Sequence, residues 1–135
     1  MEKKFFFETD GSILWIKFPK YTTLTPDIIK ELYWEEFEFL QKRALNDLWD
    51  MRDCLISSCL DNNFILDMMD EINKNHLTTM KHFKTAFLVN TDLGLGMARM
   101  FQLMGDGLPF RVGVFREEDK AKTWLTDDNQ GLPQA

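Results

Sequence analysis

The chain has 135 residues, of which 44% are hydrophobic and 28% charged, and its formal net charge is −6. That balance excludes global disorder and leaves enough chain to bury a core without disulfides or metals. An acidic surface repels nucleic acid and anionic membranes, and no apolar run reaches the roughly 20 residues of a membrane helix.

The first element reads as a hairpin. Lys4–Glu8 and Ser12–Phe18 are rich in aromatic and β-branched residues. Asp10-Gly11 between them signals a type I′ turn with positive φ at both central positions. Lys3-Lys4 before Phe5-Phe6-Phe7 mimics the start of a signal peptide, but the apolar stretch stops at Glu8. That is short of the usual h-region, so a cytoplasmic location is expected. Ile13, Trp15 and Lys17 alternate with Leu14, Ile16 and Phe18, as in a strand covered on both faces. Aromatics on both faces of the first strand require a covered or paired edge, which points to a homodimer.

Pro19 ends the second strand, and Tyr21–Leu24 is a connector. Thr25-Pro26-Asp27 starts a helix: a hydroxyl cap, a proline in the first turn and an acid at the positive dipole end. The helix runs to Lys42, with Ile29, Leu32, Tyr33, Phe37 and Leu40 on its inner face. Leu45–Met51 is a short strand, and Arg52–Asn62 is read as a loop. Phe64–Lys74 is a second helix, with Phe64, Ile65, Met68, Met69 and Ile72 on one face. Thr85–Val89 is a continuous apolar run, as in a buried central strand. Leu93–Met104 is a third helix, stopped by Gly105-Asp106-Gly107. Phe110–Phe115 is a strand and Glu117–Leu125 a last helix. The order β-β-α-β-α-β-α-β-α predicts an α/β fold: one mixed, mostly parallel sheet flanked by helices. One domain spans residues 1–126, and a flexible tail covers 127–135.

Several constellations carry chemical meaning. Cys54, Cys59, His76 and His82 have a spacing close to that of a zinc finger. However, His76 ends a predicted helix and His82 lies beyond it, so no metal and no cofactor are expected. The two cysteines are read as free thiols. In Asn90–Gly96, glycines follow a strand and open a helix, where phosphate can meet backbone N–H groups. A dinucleotide fingerprint needs a third glycine where Arg99 stands, and a Walker loop needs a Gly-Lys-Ser/Thr that is absent. Open α/β sheets still place ligands at the carboxyl ends of their strands. Asp92, Gly94, Gly96 and Arg99 are therefore the candidate ligand-binding residues. Ser57 and Ser58 are candidate phosphorylation sites. Asp50, Asp53, Asp61 and Asp92 are read as solvated acids near strand ends. Met97, Met100 and Met104, with Met68 and Met69, pack adaptably or face a ligand. Lys74, His76, Lys81, His82 and Lys84 are read as a solvated basic connector. No nucleophile elbow or triad spacing is present, so no catalytic residue is assigned.

The C-terminal half carries a further pattern. Lys84–Asn90 leads into Gly96-Met97-Ala98-Arg99-Met100-Phe101. Phe110–Arg116 and Ala121-x-x-Trp124-Leu125 follow, and Leu48–Asp53 lies upstream. This resembles the SpoIIAA-like family, grouped with STAS and SEC14-type domains. The resemblance implies a mixed sheet flanked by helices and a non-enzymatic regulatory or protein-interaction module of a bacterial cytoplasm. Anti-sigma-factor antagonists of that group carry a phosphorylatable serine in an Asp-Ser-Gly-like motif. The corresponding stretch here, Asp53–Ser58, lacks that motif and offers Ser57 or Ser58 in its place. SEC14-type relatives imply a pocket for a small apolar or lipid-like ligand. The expected partners are a regulatory protein, a second copy of the chain or such a ligand, with no nucleic acid and no membrane insertion. An unrecognised enzyme is the third reading.

Overall fold

A computed structural model of the chain describes residues 4–43, 45–76, 83–105, 107–108 and 110–127. Two strands open the chain, β1 (Phe6–Asp10) and β2 (Ile13–Lys17), paired antiparallel with Asp10 opposite Ile13. Asp10 is thus the last paired residue, and the two-residue loop is Gly11-Ser12. Gly11 has φ +60°, while Ser12 is not in the positive region. One positive φ at the first central position is the sign pattern of a II′ turn, which corrects the expected I′ turn centred on Asp10-Gly11.

After β3 (Thr23–Leu24), α1 (Pro26–Lys42) starts where its cap predicts: the Thr25 hydroxyl accepts from the Ile28 N–H at 3.3 Å. Then come β4 (Asn46–Asp50), β5 (Leu55–Ile56), α2 (Asn62–His76), β6 (Lys84–Leu88), α3 (Asp92–Met104), β7 (Arg111–Phe115) and α4 (Glu118–Thr126). The main sheet has five strands in the order β1-β2-β4-β6-β7, with β2, β4, β6 and β7 parallel. The α/β architecture and the antiparallel hairpin edge follow the pattern read from the sequence.

Two elements were not expected. β3 and β5 pair in parallel as a separate two-stranded sheet, inside stretches read as connector and loop. Two residues are too few to show a period-2 pattern; only the tertiary approach of Thr22–Leu24 to Leu55–Ser57 creates the ladder. Its flanking bonds are Leu55 N–H to the Thr22 carbonyl at 2.9 Å and Ser57 N–H to the Leu24 carbonyl at 3.0 Å.

Strand alternation divides the core. Ile13, Trp15, Leu48, Ala86 and Leu88 pack with Ala121 and Leu125 of α4 on one face. Leu14, Ile16, Phe87 and Val112 face α1, α2 and α3 on the other. β2 is buried from Ile13 to Ile16 because both faces are covered. At the sheet edge, Phe5, just before β1, is buried with its ring 5.7 Å from that of Phe7, while Phe6 is exposed.

Lys84 departs from its expected role in a solvated connector. It is buried. Its ammonium donates to the Trp124 carbonyl at 2.7 Å and the Asp127 carbonyl at 2.6 Å. A cation on the last carbonyls of α4 satisfies groups that lack helical partners and opposes the dipole. Asn46 completes the clamp: its Nδ2 donates to the Leu125 carbonyl at 2.9 Å, and its Oδ1 accepts from the Lys84 N–H at 2.9 Å. The remaining basic positions expected there, Lys81 and His82, lie outside the described residues, as does the tail beyond Asp127. Lys74 is on α2, paired with Asp70 at 3.0 Å.

Lys84→Met keeps the apolar stem and removes the charged donors. The expected loss, measured by urea unfolding, is about 2–3 kcal/mol.

Candidate functional site

Parallel strands deliver β2, β4 and β6 to one edge of the sheet, where their carboxyl ends carry Lys17, Asp50 and, just beyond Leu88, Asn90. An open cleft of about 540 Å³ lies there, lined by Trp15, Lys17, Asp50, Arg52, Asn90 and Glu118 among others. Its charges are held in pairs. The Arg52 guanidinium forks onto Asp50, with Nε to Oδ1 at 2.9 Å and Nη2 to Oδ2 at 2.7 Å. Nη2 also reaches Glu118 Oε1 on α4 at 3.2 Å. Trp15 Nε1 donates to Asp50 Oδ2 at 3.3 Å. Partial burial pushes the Asp50 pKa up, but the hydrogen bonds and charge of Arg52, with the Trp15 bond, outweigh it and hold the carboxyl below its ordinary range. The ammonium groups of Lys17 and Lys122 lie 4.7 and 4.4 Å from the Trp15 ring.

Beside the cleft, Asp53 and Asn90 bond reciprocally. The Asp53 N–H donates to Asn90 Oδ1 at 2.9 Å, and Asn90 Nδ2 donates to Asp53 Oδ1 at 3.0 Å. Asp53 and Tyr21 both sit at φ +63°, and the Tyr21 N–H donates to the Asp53 carbonyl at 3.1 Å. Left-handed backbone at non-glycine residues is costly and held only by surrounding structure. Here it turns Tyr21 outward, and Tyr21, Leu55 and Leu93 are all more than half exposed on this edge.

The candidate residues of the β6–α3 turn separate. Thr91 caps α3, its hydroxyl accepting from the Gly94 N–H at 3.0 Å. A Cβ at Gly94 would stand 2.9 Å from that hydroxyl and 3.6 Å from Val89, so the glycine lets helix and strand approach. Asp92 is exposed and faces Arg116 at 3.6 Å. Gly96 and Arg99 are exposed on the helix. Ser57 is half-buried and its hydroxyl accepts from the Cys59 N–H at 3.1 Å; Ser58 is exposed. Asp61 caps α2, accepting from the Phe64 N–H at 3.0 Å. Asp50, Asp53, Asp61 and Asp92 thus each have a separate partner. Among the described residues no group of three or more His, Cys, Asp or Glu is placed to hold a metal. Cys54 is buried, and burial first, then the charges of Asp50 and Asp53, push its thiol up to about 12. Cys59 is exposed. His82 and the side chain of His76 lie outside the described residues.

The interior holds a feature absent from the sequence reading. Glu36 of α1 and Asp47 of β4 are both buried, beside a cavity of about 80 Å³ between the sheet and α1, α2 and α3. Trp49 Nε1 donates to Asp47 Oδ2 at 2.9 Å. Glu36 Oε2 has no hydrogen-bond partner. Burial, then the charge of Asp47 and a hydrogen bond with it, raise the Glu36 pKa well above its ordinary value. The helical period could have shown Glu36, which lies four residues after Leu32, three after Tyr33 and four before Leu40, all buried. Asp47 shares the pleat face of Trp49.

No family model matches this sequence, and no curated protein matches it. Among solved structures, the chain is similar to an uncharacterised protein of the DUF3478 family from Shewanella loihica PV-4, which has a SpoIIAA-like fold. The TM-score is 0.53 at 15% identity, over 90% of this chain and 91% of that one. The fold of this chain is therefore SpoIIAA-like, as the sequence resemblance implied. Among the described residues, no helix is long and apolar enough to cross a membrane.

Two outcomes follow from the site. A raised Glu36 pKa means that the folded protein keeps a proton that the unfolded chain releases near 4.5. The contribution of Glu36 to stability is complete below that pH and is lost as pH rises through the folded value. Urea midpoints measured from about pH 5 to about pH 8 should decline, and Glu36→Gln, which mimics the protonated acid, should flatten the decline. Iodoacetamide under native conditions should alkylate Cys59 and spare Cys54, as read by peptide mass spectrometry.

Proposed function

We propose that this SpoIIAA-like chain is a non-enzymatic, STAS-like regulatory module of a bacterial cytoplasm, offering the carboxyl edge of its sheet to a protein partner. The carrying observation is that Tyr21, Leu55 and Leu93 are each more than half exposed on segments tied together by hydrogen bonds from Tyr21 to Asp53, Leu55 to Thr22 and Asp53 to Asn90. Exposed apolar side chains on a rigid support are interface material. The adjacent charges of Asp50, Arg52 and Glu118 are already joined to one another, which suits orientation and architecture better than proton transfer. Ser58, exposed three residues beyond Leu55, is the position where phosphate would set charge against this apolar surface. Asp92 and Arg116 supply a polar rim beside Leu93.

A second reading, a carrier for a small apolar ligand, draws on the interior cavity. Its volume of about 80 Å³ suits a guest of a few atoms; drug-sized ligands occupy roughly 300–1,000 Å³.

Leu55→Glu combined with Leu93→Glu tests the interaction face. Wild type is expected to associate in sedimentation velocity and quantitative crosslinking, and the variant should keep the wild-type circular dichroism and lose that association. Undiminished association of the folded variant overturns the assignment of this edge. Turnover in a hydrolase or phosphotransferase screen overturns the non-enzymatic reading.

A further inference from the structure

The interior cavity combines three features that none of the readings above uses together. The first is its floor. Glu36 and Asp47 come from facing elements, and Glu36 Oε2 is buried without a partner. The charge of Asp47 is felt by Glu36, and a negative charge is costly inside a protein unless a cation compensates it. Among the described residues, no Lys or Arg contributes to the environment of Glu36; Asp47 and burial do.

The second feature is the wall. It carries the rings of Tyr33, Trp49, Phe64, Phe87 and Phe101. Trp49, Phe87 and Phe101 stand edge to face in series, with centroids 5.7 and 5.5 Å apart. Aromatic enclosures of this kind attract cations through the ring quadrupole, most strongly where water is excluded.

The third feature is an acidic groove next to the cavity. Tyr33 and Met68 line the cavity and also an outer groove between α1 and α2. That groove carries Asp67, Asp70 and Glu71 against Lys30, with Lys74 paired to Asp70. An acidic groove concentrates cations next to the cavity, and Met68, which lines both, has an unbranched side chain that moves aside readily.

We propose that this cavity is a binding site for a small alkylammonium ion, whose N–H group bonds Glu36 Oε2 and whose alkyl groups pack against the aromatic wall. Size narrows the class. A cavity of about 150 Å³ holds benzene, so about 80 Å³ takes a guest of about three or four non-hydrogen atoms, the size of a di- or trimethylammonium ion. Water could meet Glu36 Oε2 but finds few polar partners on the apolar wall, and apolar cavities stay dry. The cavity lies within the domain rather than on the proposed partner edge, so the inference stands apart from the fate of that edge. It differs from the apolar-carrier reading by requiring charge on the guest.

The test uses the whole chain and trimethylammonium chloride, with potassium chloride at matched ionic strength and tert-butanol as a neutral guest of similar shape. The readouts are the Trp49 indole N–H resonance, assigned through Trp49→Phe, and the melting temperature. Trimethylammonium should shift the resonance saturably at millimolar concentration and raise the melting temperature, while potassium chloride does neither. Glu36→Leu, which removes the acceptor, should weaken binding by about tenfold, as expected for a lost charge-assisted hydrogen bond. Phe101→Leu, which keeps apolar volume without the ring, should weaken it several-fold and serves if the first variant fails to fold. Three results overturn the proposal: no saturable shift beyond that of potassium chloride, tert-butanol binding as tightly as the cation, or undiminished binding in both folded variants. Tert-butanol binding alone would leave the apolar-carrier reading standing while this one falls.

Discussion

Parallel pairing of β2, β4, β6 and β7 commits both faces of the sheet to burial, and most of the molecule follows from that constraint. Parallel strands need long crossovers, and helices are the economical way to make them. α1, α2 and α3 make the crossovers and cover one face. The other face would be open without α4, which returns from the last strand to close over Ile13, Leu48, Ala86 and Leu88. The C-terminal carbonyls of α4 are held by a buried lysine and an asparagine from two central strands. A short helix with few residues of its own to bury thus gains a fixed position from hydrogen bonds that begin inside the sheet.

The same pairing sorts the charged groups into two regimes. At the carboxyl edge, Asp50 meets a guanidinium whose planar fork matches a carboxylate, and the pair remains charged in contact with solvent. Inside, Glu36 meets a second acid, and burial together with the charge of Asp47 favours its neutral form. The difference is one of partners more than of residue type. Asp47 and Asp50 lie three residues apart on one strand, and strand alternation alone sends one toward the helices and the other toward the Trp15–Arg52 edge. The first arrangement orders an edge; the second leaves binding capacity unspent beside a cavity.

The likeness to the Shewanella loihica protein is one of fold. At 15% identity it carries no residue roles, and one fold hosts many functions. The proposed roles rest on local features: the strained turn at Tyr21, the pairing of Arg52 and the acids around the cavity.

The amino-acid order by itself determined the helices and long strands of this protein, since periodicity, caps and apolar runs are local signals. Thr25-Pro26-Asp27 opened α1 where expected, and the run around Thr85–Leu88 formed a central strand. Connectivity also puts the strand ends together at the carboxyl edge, where the sequence reading expects a ligand. Tertiary structure alone decided the rest. It paired Thr23–Leu24 with Leu55–Ile56, buried Lys84 at a helix end far along the chain, and brought Glu36 to Asp47. Each of these joins residues distant in sequence, where no spacing rule relates one to the other. A charge is marked in the sequence only by its identity; whether it faces water, a counter-ion or another acid depends on which element packs across from it.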